Sequence, residues 1–563
     1  MSNVVDELRV LARLPERDAG EWLSSAESGV EFLKDHLRAD TTVLYASLNA
    51  VMVHGVLVPL EPLASMDHDK LRHEFVMPDD AWAIEHVSGG GEPDRVYLTP
   101  PLRRLGPSLD QGEKLVFKRS FAGRDGQTPV EISQKLVHAL DLHFIEERNA
   151  WCRLDDDGDL VDVIKIVRET SEDWTQNVTV VTIRSKEFAE YMRLADMALF
   201  VFFDFTRTDR SFLGWDNVTP INFDAPDLFY DGGVMGGHGS YVSGRMIVRP
   251  ATSYEEIVRE AMERRNPTTK QYATFKAINL KTKERIEVSA DPKCLSNYFQ
   301  PESSLPLEMS PAFFNSEVLH RYKADPVKYD LEERGISCRG AWSLRTYDVN
   351  KEGQVHSYLR YLGELPYKEQ LYWQAFNEWP KGKLSDRAIT TDFKGEVYRG
   401  YDPLQQLKQT IRGLDKRPPA WWQPRGERMI KTVSYPNTSS LQEWSNEILA
   451  LDQLVNEGFL VEPLRSMARA SEIKLMPEWR AFKLLEECLA VKSSDRVDAS
   501  RLVSDLRALR ELRNHLKGHA SGKKVALSKE AISRHGSYKA QFEDMAHHLN
   551  ETLKVLKGTL GPP

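Results

Sequence analysis

Cysteine is scarce in this chain of 563 residues. The four present, Cys152, Cys294, Cys338 and Cys488, lie far apart and form neither a CxxC pair nor a zinc-ligand spacing, which excludes a disulfide scaffold and a zinc finger. Long apolar runs are also missing. The longest, from Asn49 to Leu63, is broken by His54, Pro59 and Pro62, too interrupted for a membrane span. The first residues are charged from Asp6 onward and hold no apolar signal-peptide core, so the expected location is a cytoplasm, by default a bacterial one, with no membrane association. No internal repeat and no Gly-Lys-Ser/Thr ending of a P-loop is present. The net charge of −9 excludes broad coating of nucleic acid by the whole surface. What remains is an ordinary globular composition, 41% hydrophobic and 28% charged, long enough for two to four domains.

Patterning along the chain predicts a mixed α+β or α/β multidomain protein. Residues 1–114 alternate helical and extended patterns. "TTVLYASLNAVMVHGVLV" from Thr41 reads as strand or buried helix, and "SGGGEP" from Ser88 as a loop. Residues 115–250 read as an α/β domain. "EKLVFKRSF" predicts a strand, "PVEISQKLVHALDLHFI" an amphipathic helix, and "AWCRLDDDGDLVDVIKIV" two strands joined by an acidic turn. "NVTVVTIRS", "KEFAEYMRLADM" and "ALFVFFDFT" continue as strand, helix and strand, a mostly buried sheet with helices packed on it. Residues 251–435 form a mixed region rich in aromatics (Phe313, Phe314, Tyr322, Tyr329, Trp342, Tyr361, Tyr367, Tyr372, Trp373) that read as core, with a ligand or phage-component pocket as the alternative. Pro418, Pro419, Pro424 and Pro436 mark an interdomain linker that ends near Ser440. From 440 to 563, apolar residues at three- and four-residue steps predict an antiparallel bundle of four or five helices. Ser439 or Ser440 supplies the first N-cap.

This last segment is the basic one. From Ser471 to Pro563 there are 17 Lys+Arg against 12 Asp+Glu, a balance of +5, which leaves 58 against 72 elsewhere. The imbalance suits either a localised phosphate contact or a solvated helical surface. In "LRELRNHLKGHASGKKV", Leu502, Leu506, Leu509, Leu512 and Leu516 form an apolar helical stripe. Arg513 falls inside that stripe, where a charge must be paired or must face a ligand. His519 follows six residues later, although Gly518 is a candidate helix end.

"RNHLKGH", Arg513 to His519, resembles the R-polar-x(n)-H motif of HEPN domains, small helical bundles found in bacterial ribonuclease toxins and abortive-infection proteins. "LDQLVNEGFLVEPLR" is similar to a HEPN first helical hairpin. The resemblance covers about 120 residues. It implies a metal-independent endoribonuclease with no cofactor, a homodimer through the C-terminal bundle with two motifs facing a shared cleft, and RNA as substrate. It assigns Arg513 to the scissile phosphate, His519 to proton transfer and Asn514 to orientation; His515 and Lys517 are further candidates. The chemistry suits these residue types. RNA carries its own nucleophile, the 2′-OH, and needs only a proton carrier near neutral pH and a permanent, fork-shaped cation. The large preceding region would then be a sensor or restraint, with a phage component or a neighbouring-gene product as trigger, in phage defense or as a toxin.

Two rivals stand beside this reading. One is a non-catalytic bundle for dimerisation or partner binding, in which Arg513 pairs with Glu486, Glu487 or another bundle acid. The other is a metal-dependent DNA nuclease built around Asp204 in "FVFFDFT", although no E-x-K follows. The glycine-rich 232–239 stretch with His238 reads as a tight loop rather than a nucleotide cradle. Asp155, Asp157 and Asp159 open like a calcium loop but lack the glycine at position six, which favours a hairpin turn. Cys338 has no histidine nearby in sequence to make it a nucleophile. Stretches between residues 310 and 382 resemble uncharacterised bacterial proteins, which implies a shared domain without an activity.

Overall fold

The computed structural model describes residues 2–14, 19–37, 39–63, 66–89, 92–120, 129–172, 177–209, 218–235, 239–265, 270–436, 440–493, 496–517 and 521–560. The chain divides once, into compact units Met1–Lys270 and Gln271–Pro563, rather than after residues 114, 250 and 435.

The first unit is built on one large sheet. Among the described residues, ten of its twelve strands form the main path: β1 (Thr41–Leu48), β2 (Val51–Pro59), β3 (His143–Ile145), β4 (Ala150–Leu154), β5 (Leu160–Glu169), β6 (Val178–Arg184), β7 (Met197–Phe205), β8 (Ile221–Ala225), β9 (Leu228–Met235) and β10 (Gly239–Val248). Their spatial order is β8-β9-β10-β7-β2-β1-β6-β5-β4-β3, and each of these pairings is antiparallel. The α+β alternative therefore describes this unit. The ambiguous 41–58 stretch resolves as two strands, because Asn49 takes a left-handed turn conformation (φ 52°) between them. β2 pairs with β7 along its whole length, which joins residues 1–114 and 115–250 in one sheet and removes the boundary expected at 114. Apart from Asp204, β7 is apolar because both its faces are covered. Helices α1 (Ser2–Leu11) and α2 (Ala19–His36) contribute Leu8 and Leu33 to one core, with Phe203 and Phe205. Leu71, Val76 and Leu102 cover Phe200 and Phe202 on the other face.

The helix expected across 130–145 is instead a strand (Val130–Ile132), a short helix capped by Ser133 (Gln134–Ala139), and β3. Asp141, at φ 52°, ends the helix. The acidic turn lies where it was expected. Asp155 Oδ1 accepts the amides of Asp157 (3.0 Å) and Asp159 (2.8 Å) and closes the β4–β5 hairpin. Gly232 and Gly233 are strand residues of β9, while residues 236–238, including His238, lie outside the described residues.

The second unit begins with a small sheet in which Pro311–Phe314 pairs with Val355–Tyr358. The aromatic residues form its core. Phe314, Tyr322, Trp342 and Trp373 are buried together, while Tyr367 is exposed. The helical part starts well before 440, with α3 (Pro403–Lys416) and α4 (Gly426–Thr432). Among the described residues six helices follow: α5 (Leu441–Asn456), α6 (Val461–Ala470), α7 (Ala481–Ser493), α8 (Arg496–Lys517), α9 (Ser521–His535) and α10 (Tyr538–Leu560). Ser440 is the N-cap of α5, its hydroxyl accepting from Glu443 N at 3.3 Å.

The expected linker is thus structured. Pro418 and Pro419 separate α3 from α4, but the two tryptophans after them are buried in the same core as α5–α10. Trp421 Nε1 donates to Leu560 O (2.9 Å) and Trp422 Nε1 to Asp415 Oδ1 (2.9 Å). Among the described residues, no helix is long and apolar enough to cross a membrane.

Candidate active site

α5 and α8 lie side by side, and each carries charge where its sequence pattern calls for apolar residues, one residue on α5 and two on α8. On α5, Ile448, Asp452 and Val455 follow at four- and three-residue steps; on α8, Leu506, Arg510 and Arg513 do the same. Such spacing puts each trio on one helix face. Between the two faces sits Asp452, its side chain 1% exposed. Its Oδ1 accepts Arg510 Nε (2.9 Å) and Asn456 Nδ2 (2.7 Å). Asn456 also donates to Leu506 O (3.0 Å), which fixes the amide between the helices. The second carboxylate oxygen makes no hydrogen bond and lies 3.7 Å from Arg513 Nε, itself without a hydrogen-bond partner.

Two guanidinium groups therefore share one buried carboxylate, and the cluster keeps a net positive charge. Arg513 stays one-third exposed, and one of its outer nitrogens donates to Asn514 Oδ1 (2.9 Å). Arg510 lies over the Phe482 ring, an arrangement that suits a planar cation. Asn514 and His515 are exposed. Lys517 closes α8, with its side chain outside the described residues, and His519 lies outside them altogether. Glu486 and Glu487, the acids considered for Arg513, are otherwise engaged: Glu486 pairs with Arg507 and Glu487 with Lys483. Asp452 was missed by sequence reasoning. The available signal was a carboxylate inside the apolar stripe of α5, the mirror of the arginine inside the stripe of α8.

Elsewhere the candidates do not assemble. Asp204, on β7, accepts from Thr206 Oγ1 at 2.5 Å, and burial raises its carboxyl pKa. Among the described residues there is no group of three His, Cys, Asp or Glu side chains that could hold a metal ion. Cys338 is buried within the strand Ile336–Cys338. No family model matches this chain, and neither a curated protein nor a solved structure does.

Proposed function

We propose that the chain is a metal-independent endoribonuclease of the HEPN type, with Arg513 and His519 as its catalytic pair. The observation that supports this reading best is the half-open guanidinium of Arg513, held from behind by buried Asp452 and beside Asn514 at the end of a helix. A permanent cation in this position can accept a phosphate on its exposed side without first breaking its internal contact. In the proposed reaction the RNA 2′-OH attacks the adjacent phosphorus and gives up its proton to a basic group. The P–O5′ bond breaks, and the departing O5′ takes a proton from an acidic one. Histidine serves in such transfers near neutral pH, and Arg513 offsets the charge that builds on the phosphoryl oxygens. The products carry 2′,3′-cyclic phosphate and 5′-OH ends. Homodimerisation through the bundle, regulation by the N-terminal region and a role in phage defense belong to the same proposal.

One observation favours a second reading. Asp452 is buried and tied to two arginines and an asparagine across α5 and α8, as a purely structural ion cluster would be in a non-catalytic dimerisation module. Incubating RNA with the full chain in EDTA separates the two readings. The ribonuclease cuts there and loses cutting on Arg513→Ala or His519→Ala, whereas the structural module cuts under no condition. Cutting of DNA that requires Mg²⁺ would instead support the nuclease reading around Asp204.

A further inference from the structure

The second unit holds an open cavity of about 2050 Å³ between its small-sheet region and its helices. This exceeds the usual 300–1,000 Å³ of small-molecule sites. Arg387 forms a bidentate pair with Asp348 on the sheet side (2.9 and 2.8 Å). Lys323 crosses to the helical side, where it donates to Tyr435 O and Glu443 Oε1, both at 2.7 Å.

One lining group is left over. Lys408, on α3, is only 8% exposed, yet its ammonium makes no hydrogen bond or ion pair with any described residue. The nearest carboxylates already have donors. Glu447 accepts from Lys323 and Ser434, Asp402 from Tyr435 and Gln405, and Glu333 from Gln405. Burial outweighs these acids and lowers the Lys408 pKa. On the neighbouring helix α4, Arg428 and Lys431 also line the cavity and pair with no described residue. An ammonium on a largely buried stem, with no protein partner, favours an anionic group at its tip. The tip of Lys408 is not among the buried atoms left without a partner, so it opens on the cavity, where a water or the oxygen of a ligand can accept from it.

We propose that this cavity binds a small oxyanion-bearing molecule, a phosphate ester or a polycarboxylate, whose charged oxygens bond to Lys408 beside Arg428 and Lys431, on a wall that also carries Asp402, Glu447 and Glu543. The proposal does not rest on ribonuclease activity and concerns a different part of the unit. A ligand seated there would touch both the sheet region and the helices, which gives it a route to stabilise the unit as a whole.

The test is calorimetric titration and thermal unfolding of the full chain with pyrophosphate, ATP and citrate, each up to about 10 mM. At least one is expected to bind and raise the unfolding temperature. Pyrophosphate or ATP alone would identify a phosphate source, and citrate alone a carboxylate source. Lys408→Met keeps the stem and removes the charge. It should weaken binding by about tenfold or more and, without ligand, raise the unfolding temperature, because a largely desolvated charge with no protein partner is gone. Any of three results would overturn the proposal: no binding by all three probes, equal binding by Lys408→Met, or a lower unfolding temperature for the unliganded variant.

Discussion

Arginines that reach into the core of the sheet unit and into that of the helical bundle are treated in opposite ways. In the sheet unit Arg207 and Arg245 are 2% and 1% exposed, and their partners are backbone carbonyls: Phe205 and Leu11 for one, Gly244, Arg72 and Glu74 for the other. These groups are sealed on all sides, and burial lowers the pKa of each to about 10. In the bundle, Arg510 and Arg513 share a single carboxylate and keep about a third of each side chain exposed. A sealed guanidinium ties strands and loops together. A half-open one can still take a phosphate.

Breaking the sealed set should produce the largest loss of stability. Arg245→Ala removes the donor to the Gly244, Arg72 and Glu74 carbonyls and is expected to cost about 4 kcal/mol or more in urea unfolding; a loss below about 1 kcal/mol would contradict the sealed description. Acid should act on both units at a comparable scale. His54 is held neutral by burial and by the nearby charge of Lys114, with its pKa lowered to about 3, and burial lowers that of His356 to about 4. The unfolded chain binds these protons more readily, so stability falls as pH drops below about 6.5. The loss levels off near pH 4 for His356 and near pH 3 for His54. The shifts correspond to roughly 5 kcal/mol for His54 and roughly 3 kcal/mol for His356, and His54→Gln should flatten the pH dependence of the sheet unit. Asp452→Ala leaves Arg510 and Arg513 facing each other and is expected to cost about 2–3 kcal/mol. The partial exposure of both arginines keeps this below the Arg245 effect. Arg513→Ala should cost less than about 1 kcal/mol, because solvent already screens its pairing.

Local pattern carried much of this architecture. The β4–β5 hairpin with its Asp155 turn, the buried strand β7 and the Ser440-capped helix were all legible, because each depends on neighbours within a few residues. The folded linker was not. Proline marks where a helix stops but not what the following residues pack against, and Trp421 bonds to Leu560, 139 residues away. Asp452 was hidden for the same reason: its partner Arg510 lies 58 residues on. The stripe of α8 did show that Arg513 needed a partner or a ligand, and the fold gives it half of one.

The most direct measurement is the single-turnover rate of cleavage of an end-labelled RNA in EDTA, comparing wild type with Arg513→Ala matched to it in unfolding midpoint. The account predicts cutting by wild type with cyclic-phosphate ends and a loss of about 10²-fold or more in the variant. Equal rates for the two proteins, or no cutting by wild type, would contradict it.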